Sequence, residues 1–312
     1  MRFIPLLPTA LALLLATACS QAQSDSDDNA ADTEASAGKS KSKKKDKDKG
    51  KGKESSLEDR MIDAAVPGLR RVGSLSGVPE SSGLAPGPQP DTYYSFGDNG
   101  NPPTLYQLDG TGRVTNEVLI GAKNRDWESL SRGLQGTYFI GDCGNNESDR
   151  RDLRILRVNP TTPQQVGTIA FTYPDQLEFP PKKKERNFDC EATIWHEGKV
   201  WLFTKDQNER TSNVYAVPDL PGTYTAQRVA SIAIPGRVTD VALSPDGHQL
   251  VLLGRSELFI LKGNSWADLL KAPPQRIDLA GTGQTEGVAF KTPQTLLIST
   301  EQGGLFEYAL PQ

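Results

Sequence analysis

A strand unit that recurs from about residue 66 to the end of the chain most constrains what this sequence can fold into. Each unit opens with an acidic, a small and an apolar residue and continues as short apolar runs separated by Gly, Pro, Asn and Asp. Short apolar runs bounded by turn residues predict β-strands, and no long stretch of helical periodicity interrupts them. The sequence therefore predicts an all-β domain built from repeats of four strands.

The number of repeats follows from the positions of their openings. Four units open with Glu128-Ser129-Leu130, Glu191-Ala192-Thr193, Asp240-Val241-Ala242 and Glu286-Gly287-Val288, and a fifth opens with Ser82-Gly83-Leu84. Successive openings are 46, 63, 49 and 46 residues apart, as expected for propeller blades. An insertion around 180–187 accounts for the longest interval. We expect a five-bladed β-propeller, with a six-bladed ring as the alternative if the insertion hides strands.

The two ends of the repeat region are expected to meet. The last unit ends at Gln312 just after its third strand, so its fourth strand must come from elsewhere. The apolar run from Leu69 to Leu75 precedes the first opening and belongs to no unit. We therefore predict that this N-terminal strand completes the last blade, which closes the ring and removes an exposed sheet edge.

The first 19 residues resemble an export signal. Arg2 is followed by an apolar stretch of 14 residues, which is too short to span a bilayer comfortably. The segment ends Ala16-Thr17-Ala18-Cys19, which resembles a bacterial lipobox and predicts lipidation of Cys19. The same Ala-x-Ala pattern fits ordinary signal peptidase, so a soluble periplasmic protein is the alternative.

Residues 20–60 are expected to be a disordered tether. They have almost no apolar side chains and carry nine Lys between Lys39 and Lys53, so they cannot bury a core. We interpret the segment as a spacer between a lipid-anchored N-terminus and a propeller domain at 66–312, although its lysines could also contact anionic headgroups. Ser20 after the cysteine resembles the outer-membrane sorting pattern, which predicts a location in the cell envelope.

Overall charge excludes one class of partner. The chain has 35 Lys+Arg against 39 Asp+Glu, so it lacks the excess positive charge of a nucleic-acid-binding surface. We expect no nucleic-acid partner. The expected partners are the membrane, through the lipid anchor, and an unidentified small-molecule or protein ligand.

The opening acids are expected to meet at one mouth of the propeller channel, because the first strand of each blade lines that channel. The candidate metal ligands are Glu128, Glu191, Asp240 and Glu286, with Asp98 and Asp142 in adjoining loops as outer candidates. The candidate ligand-binding residues are Asn99, Asn145, Lys205 and Arg255. The same mouth also receives Glu80, Asp126 and Asp189, each two residues before an opening position and therefore on the same side of its strand.

Carboxylates that converge repel one another, raise one another's pKa, or bind a cation. An oxygen-only donor set suits Ca²⁺, whereas Zn²⁺ prefers nitrogen or sulfur. The sequence therefore predicts a calcium site at this mouth. The alternative is a solvated acidic rim paired with Lys205 and Arg255.

Histidine-based chemistry is not expected. Both histidines, His196 and His248, fall in turns on the opposite face of the ring from the acids. The chain also lacks Gly-x-Ser-x-Gly, His-Glu-x-x-His and a phosphate-binding P-loop.

Several motifs resemble those of a known group of secreted bacterial β-propellers. They are Glu80-Ser81-Ser82-Gly83-Leu84, Gly97-Asp98-Asn99-Gly100-Asn101, Asn124-Arg125-Asp126-Trp127-Glu128, the run 140–146, Tyr173-Pro174-Asp175 and Asp189-Cys190-Glu191-Ala192. Over about 73–312 the chain resembles the SdiA-regulated and phytase-esterase-like families. The resemblance implies a propeller fold, and it carries over no set of catalytic residues.

Two functions are compatible with these features. The first is an envelope lipoprotein whose propeller binds a ligand or partner at a calcium-structured mouth. The second is a calcium-dependent hydrolase of phosphate or carboxyl esters, in which bound metal activates water and Lys205 and Arg255 hold the negative charge of the substrate. The absence of a nucleophile and base pair ranks the enzyme second.

Cys143 and Cys190 are expected to form a disulfide. They fall near the same face of blades adjacent in sequence, in a chain predicted to be exported. Lipidation of Cys19 would leave only these two thiols. Two separate thiols are the alternative.

Overall fold

The computed structural model describes residues 66–311, which form five sheets arranged as blades around a central channel. The predicted signal peptide, the predicted lipidation site Cys19 and the predicted tether lie outside the described residues. Within the described range, no helix combines the length and the apolar character needed to cross a membrane.

The blades follow one another along the chain. Blade 1 contains β2 (Ser81–Pro86), β3 (Thr92–Gly97), β4 (Thr104–Asp109) and β5 (Val114–Leu119). Blade 2 contains β6 (Trp127–Arg132), β7 (Tyr138–Asp142), β8 (Arg154–Val158) and β9 (Gly167–Thr172). Blade 3 contains β10 (Asp189–His196), β11 (Lys199–Lys205), β12 (Thr211–Pro218) and β14 (Gln227–Ala233). Blade 4 contains β15 (Val238–Leu243), β16 (Gln249–Gly254), β17 (Glu257–Lys262) and β18 (Gln275–Asp278). Blade 5 contains β19 (Thr285–Thr292), β20 (Thr295–Thr300), β21 (Gly304–Ala309) and β1 (Leu69–Ser74).

The five-bladed arrangement predicted from the repeat is confirmed. The innermost strands β2, β6, β10, β15 and β19 contact one another in cyclic order. The stretch between β9 and β10, which leaves the six-bladed alternative open at the sequence level, contains only a 3-10 helix, Lys183–Glu185, and no strand. The insertion therefore lengthens one interval without adding a blade.

The predicted closure is also confirmed. Strand β1 pairs antiparallel with β21, with Leu69 opposite Tyr308 and Ser74 opposite Gly304. Arg70 also forms an ion pair with Glu307 of the same sheet. The first described strand therefore completes the last blade.

Packing between neighbouring blades holds the ring together. Five apolar clusters of buried residues each join two adjacent blades. Between blades 1 and 2, for example, the rings of Phe96 and Trp127 meet edge to face with their centroids 5.6 Å apart. Because middle strands such as β16 are buried on both faces, their sequences read as continuous apolar runs rather than as alternating ones.

One strand was not anticipated. Strand β13 (Gly222–Thr225) follows blade 3 strand β12 in the chain but pairs in parallel with β9 of blade 2. Four residues with two threonines and one tyrosine carry too weak a pattern to predict, and the partner lies in another repeat. A one-turn helix, α1 (Trp266–Leu269), between β17 and β18 was likewise not anticipated.

Each innermost strand carries a β-bulge near its N-terminal end. In blade 2, Trp127 pairs with Asp142 and Ser129 pairs with Gly141, so Glu128 has no partner across the ladder. The same irregularity leaves one extra residue in each of the other four innermost strands. A bulge re-aims the side chain at the unpaired position, so these residues are set apart from the regular strand.

The closing strand generates a test of the ring. Leu69 is 1 % exposed, and Leu69→Ala should lower the free energy of unfolding by about 2 to 5 kcal/mol because it leaves a cavity between blades 4 and 5. The matched control is Leu119→Ala on outer strand β5, where the side chain is 58 % exposed. Urea unfolding should find the control within about 0.5 kcal/mol of wild type. Equal small effects for both variants would contradict closure by β1.

Candidate functional site

The bulged positions converge at one mouth of the channel. They are occupied by Ser82, Glu128, Glu191, Thr239 and Glu286 in blades 1 to 5. Three of the five are the predicted acids Glu128, Glu191 and Glu286, and all three line a single cavity of about 100 Å³ at this mouth. The repeat read from the sequence is therefore a repeat of bulges as well as of strands.

Asp240 is predicted at the mouth because its place in the repeat matches that of Glu128, but the bulge of blade 4 falls one residue earlier. The bulged residue of blade 4 is Thr239, and its hydroxyl donates to the carbonyl of Thr285 at 2.9 Å. Asp240 is fully buried and accepts the backbone N–H groups of Val241 and Val288, both at 2.8 Å. Its carboxylate joins blade 4 to blade 5 and does not line the cavity, so the structure does not bring Asp240 together with the other predicted ligands.

Asp142, the other outer candidate ligand, does not line the cavity either. It is fully buried, and its Oδ2 accepts Arg154 Nε at 2.7 Å while its Oδ1 accepts the backbone N–H of Asp126 at 3.0 Å. Arg150 Nη2 lies 3.6 Å from the same carboxylate. Both oxygens of this side chain therefore have partners within the protein, and one of them holds Asp126 in position.

Asn145 and Asn99 do not line the cavity. Asn145 is buried, and its Oδ1 accepts the backbone N–H groups of Asp149 and Arg150, so it shapes the loop after β7. Asn99 is exposed, and its backbone N–H donates to Asp98 Oδ1 at 2.5 Å. The structure thus assigns the two asparagines to loop geometry and to support of Asp98.

Three carboxylates form the tightest acidic group among the described residues. One oxygen each from Asp98, Asp126 and Glu128 lies within 4.8 Å of the other two. Asp126 precedes Glu128 by two residues and was placed at the mouth by strand periodicity, but it was left out of the predicted ligand set. Asp126 is separated from Glu128 by Trp127 alone, and its backbone N–H is held by Asp142 Oδ1 at 3.0 Å.

A glycine provides the space for this group. A Cβ at Gly144 would overlap Glu128 Oε1 and Asp126 Oδ2, so a side chain at this position would displace both carboxylates. Ser82 Oγ approaches Glu128 Oε2 from the neighbouring blade, at 3.5 Å. We call Asp98, Asp126 and Glu128 the acidic triad.

Burial disfavours the charged form of each member of the acidic triad. Loss of hydration raises the pKa of Asp126 to about 6, even though Arg150 opposes the shift. Burial and the neighbouring Glu191 raise the pKa of Glu128 well above its usual range, and burial also raises the pKa of Asp98. The group therefore concentrates negative charge where it is poorly solvated, which a bound cation would relieve.

Lys205 is already paired with acidic side chains of its own blade. Its Nζ contacts Glu191 Oε1 and lies 3.2 Å from Asp189 Oδ2, and all three side chains are buried. The carboxylates of Glu191, Asp189 and Glu128 raise the pKa of Lys205 and keep it charged. This lysine is an internal counterion to one half of the mouth and not a free group for a ligand.

The other side of the mouth is formed by Glu286, Gln284 and Arg255. Gln284 Nε2 donates to Glu286 Oε1 at 2.5 Å, and burial raises the pKa of Glu286 to about 7. Arg255 is exposed and lines the same cavity. Of the predicted ligand-binding residues, Arg255 is the one that the structure brings to the cavity with its charge still available.

The two predicted disulfide partners lie together. Cys143 directly follows β7 and Cys190 lies in β10, and their sulfurs are 2.7 Å apart in fully buried positions. The structure represents both as free thiols. The disulfide therefore stays a prediction, for which the two side chains are suitably placed.

The histidines lie away from this mouth, as expected. His196 is the last residue of β10, and its ring stacks on Trp266 with centroids 4.5 Å apart. His248 lies in the turn before β16, where its Nδ1 is 3.1 Å from the carbonyl oxygen of Gly263. Neither approaches the acidic triad.

No family model matches the chain, and no curated protein matches it. The resemblance to the SdiA-regulated and phytase-esterase-like families therefore receives no support at the level of sequence families.

Solved structures resemble the fold. The PQQ-bound aldose sugar dehydrogenase of Streptomyces coelicolor aligns with a TM-score of 0.45 at 12 % identity, over 77 % of this chain and 96 % of the dehydrogenase. The calcium-binding protein regucalcin of Agrobacterium tumefaciens aligns with a TM-score of 0.42 at 15 % identity, over 77 % and 94 %. Hydrazine synthase of Kuenenia stuttgartiensis aligns with a TM-score of 0.40 at 13 % identity, over 72 % of this chain and 56 % of that chain. These are similarities of fold.

The thiol pair can be tested by labelling. In a chain carrying Cys19→Ser, Cys143 and Cys190 are the only cysteines left of the three in the sequence. Denaturation without reductant, followed by maleimide labelling and mass spectrometry, should find neither thiol labelled. Reduction before labelling should expose both. Two labelled thiols without reduction would contradict the disulfide.

Burial of Glu286 predicts a dependence of stability on pH. Its pKa rises from 4.5 when unfolded to about 7 when folded, so the native state holds an extra proton between these values. Stability should therefore fall as pH rises through this window, by about 3 kcal/mol from this group. Glu286→Gln should remove that part of the fall in urea unfolding at pH 5 and 8 with chelator present.

The control for this measurement is Glu117→Gln, which changes an exposed acid on β5. It should keep the pH dependence of wild type. An unchanged pH dependence in Glu286→Gln would mean that Glu286 is ionised in the native state at pH 5.

Proposed function

We propose that the protein is a lipid-anchored component of the cell envelope whose propeller binds a divalent cation, Ca²⁺, at the acidic mouth and through it a ligand. The convergence of the acidic triad carries the proposal, because three carboxylate oxygens from two neighbouring blades lie within 4.8 Å of one another. Repulsion among them in a poorly solvated mouth is relieved when a cation is bound.

The chemistry of the triad favours calcium over magnesium. Ca²⁺ accepts six to eight oxygens at about 2.3 to 2.6 Å in flexible arrangements, which suits carboxylates from two blades. Mg²⁺ needs shorter distances in a near-ideal octahedron and gives up its waters reluctantly. The cavity of about 100 Å³ beside the triad has room for waters or for the oxygen of a ligand to complete the coordination.

In the hydrolase alternative, one of the two basic residues needed for the substrate is already paired within the protein. It requires Lys205 and Arg255 to hold the negative charge of a substrate, and the Lys205 ammonium is shared by Glu191 and Asp189. Arg255 remains available to an anionic group of the ligand beside the cation. Binding is therefore the function that the geometry favours.

The envelope location rests on the export signal and lipobox of residues 1–19. Strand β1 begins at the end of blade 5 opposite the acidic mouth, because Leu69 pairs with Tyr308 near the end of β21. The chain therefore enters blade 5 at the end away from the acidic mouth.

Calcium binding can be measured directly. Calorimetry with CaCl₂ should detect one site in the wild-type protein, and about a hundredfold excess over the dissociation constant should stabilise the fold by about 2.7 kcal/mol. Asp126→Asn combined with Glu128→Gln should abolish both effects, since amides cannot neutralise the ion. Binding should also weaken below about pH 6, where a proton competes for Asp126.

Two further variants sharpen the test. Gly144→Ala should weaken calcium binding at least tenfold, because the new methyl group displaces two triad oxygens. Glu117→Gln, which removes an exposed acid far from the mouth, should bind calcium as wild type does. If wild-type protein binds no calcium at millimolar concentration and chelator leaves its melting temperature unchanged, the acids form a solvated rim.

A further inference from the structure

The end of the channel opposite the acids is an apolar chamber. It has a volume of about 280 Å³ and is lined by residues from all five innermost strands. Four blades contribute the apolar residue two positions after the bulge, namely Leu84, Leu130, Val241 and Val288. The same sequence unit that directs an acid to one mouth therefore directs an apolar side chain to the other.

Most polar groups in the chamber wall are already satisfied. Ser131 Oγ accepts the backbone N–H of Trp195 at 2.6 Å. The indole N–H of Trp195 donates to Asp219 Oδ2 at 2.8 Å, so its ring contributes only apolar surface to the wall. A ligand in the chamber would therefore meet hydrocarbon and aromatic surface and few free hydrogen-bonding groups.

Arg132 is the exception. It is exposed at the rim, donates one hydrogen bond from Nη1 to the carbonyl of Gly87 at 2.6 Å, and forms no ion pair with any residue in the range 66–311. Lys291 nearby differs, because it is paired with Asp91 at 3.1 Å and Glu307 at 2.8 Å. No acidic residue lines the chamber within the described chain. The chamber thus carries one uncompensated positive charge.

A second cavity extends from the same rim. Its volume is about 330 Å³, it runs between blades 1 and 5, and it shares Pro86, Arg132 and Phe290 with the chamber. Arg132 therefore lies where the chamber meets the groove between blades 1 and 5. An anionic group at this junction would keep contact with water while an attached apolar body entered the chamber.

We propose that the chamber binds a small amphipathic anion, with an apolar chain or ring inside and a carboxylate or sulfonate paired with Arg132. The volume is that of about nine water molecules in the liquid, which suits a chain of about eight carbons. Apolar burial supplies the affinity, and the guanidinium supplies the preference for a negative head group. The site is separate from the acidic triad and does not depend on it.

Calorimetry on the full chain tests the proposal with three probes of equal length: octanoate, octanol and octylammonium. Octanoate should bind at least tenfold more tightly than octylammonium, with octanol between them. Arg132→Gln should weaken octanoate binding about tenfold and leave octanol unchanged. Arg157→Gln, which changes an exposed arginine of β8, should bind octanoate as wild type does.

A variant that fills the chamber tests the apolar part. Leu243 is half-buried in the wall, and Leu243→Trp should abolish binding of octanoate and octanol. Its melting temperature and its response to calcium identify a folded protein. If it does not fold, Arg132→Gln still decides the proposal, because Arg132 is exposed.

Three results would overturn the inference. They are equal binding of octanoate and octylammonium, an unchanged octanoate affinity in Arg132→Gln, and no binding of any probe at millimolar concentration. Asp126→Asn combined with Glu128→Gln should bind octanoate normally, so failure of the calcium site and failure of the chamber are distinguishable.

Discussion

One unpaired residue near the start of each innermost strand sets the chemistry of this propeller. A regular strand alternates its side chains between two faces, and both faces of an innermost strand are needed to pack against neighbouring blades. The bulge adds one residue whose side chain is not needed for packing on either face. In three blades that residue is glutamate, and the ring brings these glutamates to one cavity. Beyond the bulge, regular alternation resumes and the strands become apolar.

The acidic mouth is held together by two different compensations. On one side, Lys205 lies between Glu191 and Asp189 as a built-in cation. On the other, Arg150 and Arg154 neutralise Asp142, which then orients Asp126. The acidic triad lies between these two groups, and within residues 66–311 the ion pair that reaches it joins Arg150 to Asp126 at 3.8 Å. The acids on either side of the triad are therefore more fully paired with basic side chains than the triad itself is.

Much of the fold could be predicted from the sequence because strand repeats and turn residues are local signals. The five blades and the closing strand that begins at Leu69 follow from them directly. The site residues were harder to predict, because a bulge shifts the alternation of side chains by one residue and the sequence alone does not mark its position. Asp240 looks equivalent to Glu128, although Thr239 is the bulged residue of its blade.

Other differences depend on which residues face each other across strands, which the repeat pattern does not specify. Asp142 forms an ion pair with Arg154 across the loop between β7 and β8. Lys205 forms ion pairs with acids of the adjacent innermost strand β10. The pairing of β13 with blade 2 rather than blade 3 is likewise a contact between repeats. The first two contacts depend on the register of neighbouring strands within a blade, and the third depends on a contact between two blades.

The pairing of the first described strand with the last has a consequence for biogenesis. Arg70 and Glu307, which meet in blade 5, are separated by 237 positions. A chain emerging from the ribosome N-terminus first cannot form this contact until residue 307 has been synthesised, and contacts so distant in sequence form slowly. Blade 5 therefore stays incomplete, and the ring open, while the four other blades are being synthesised.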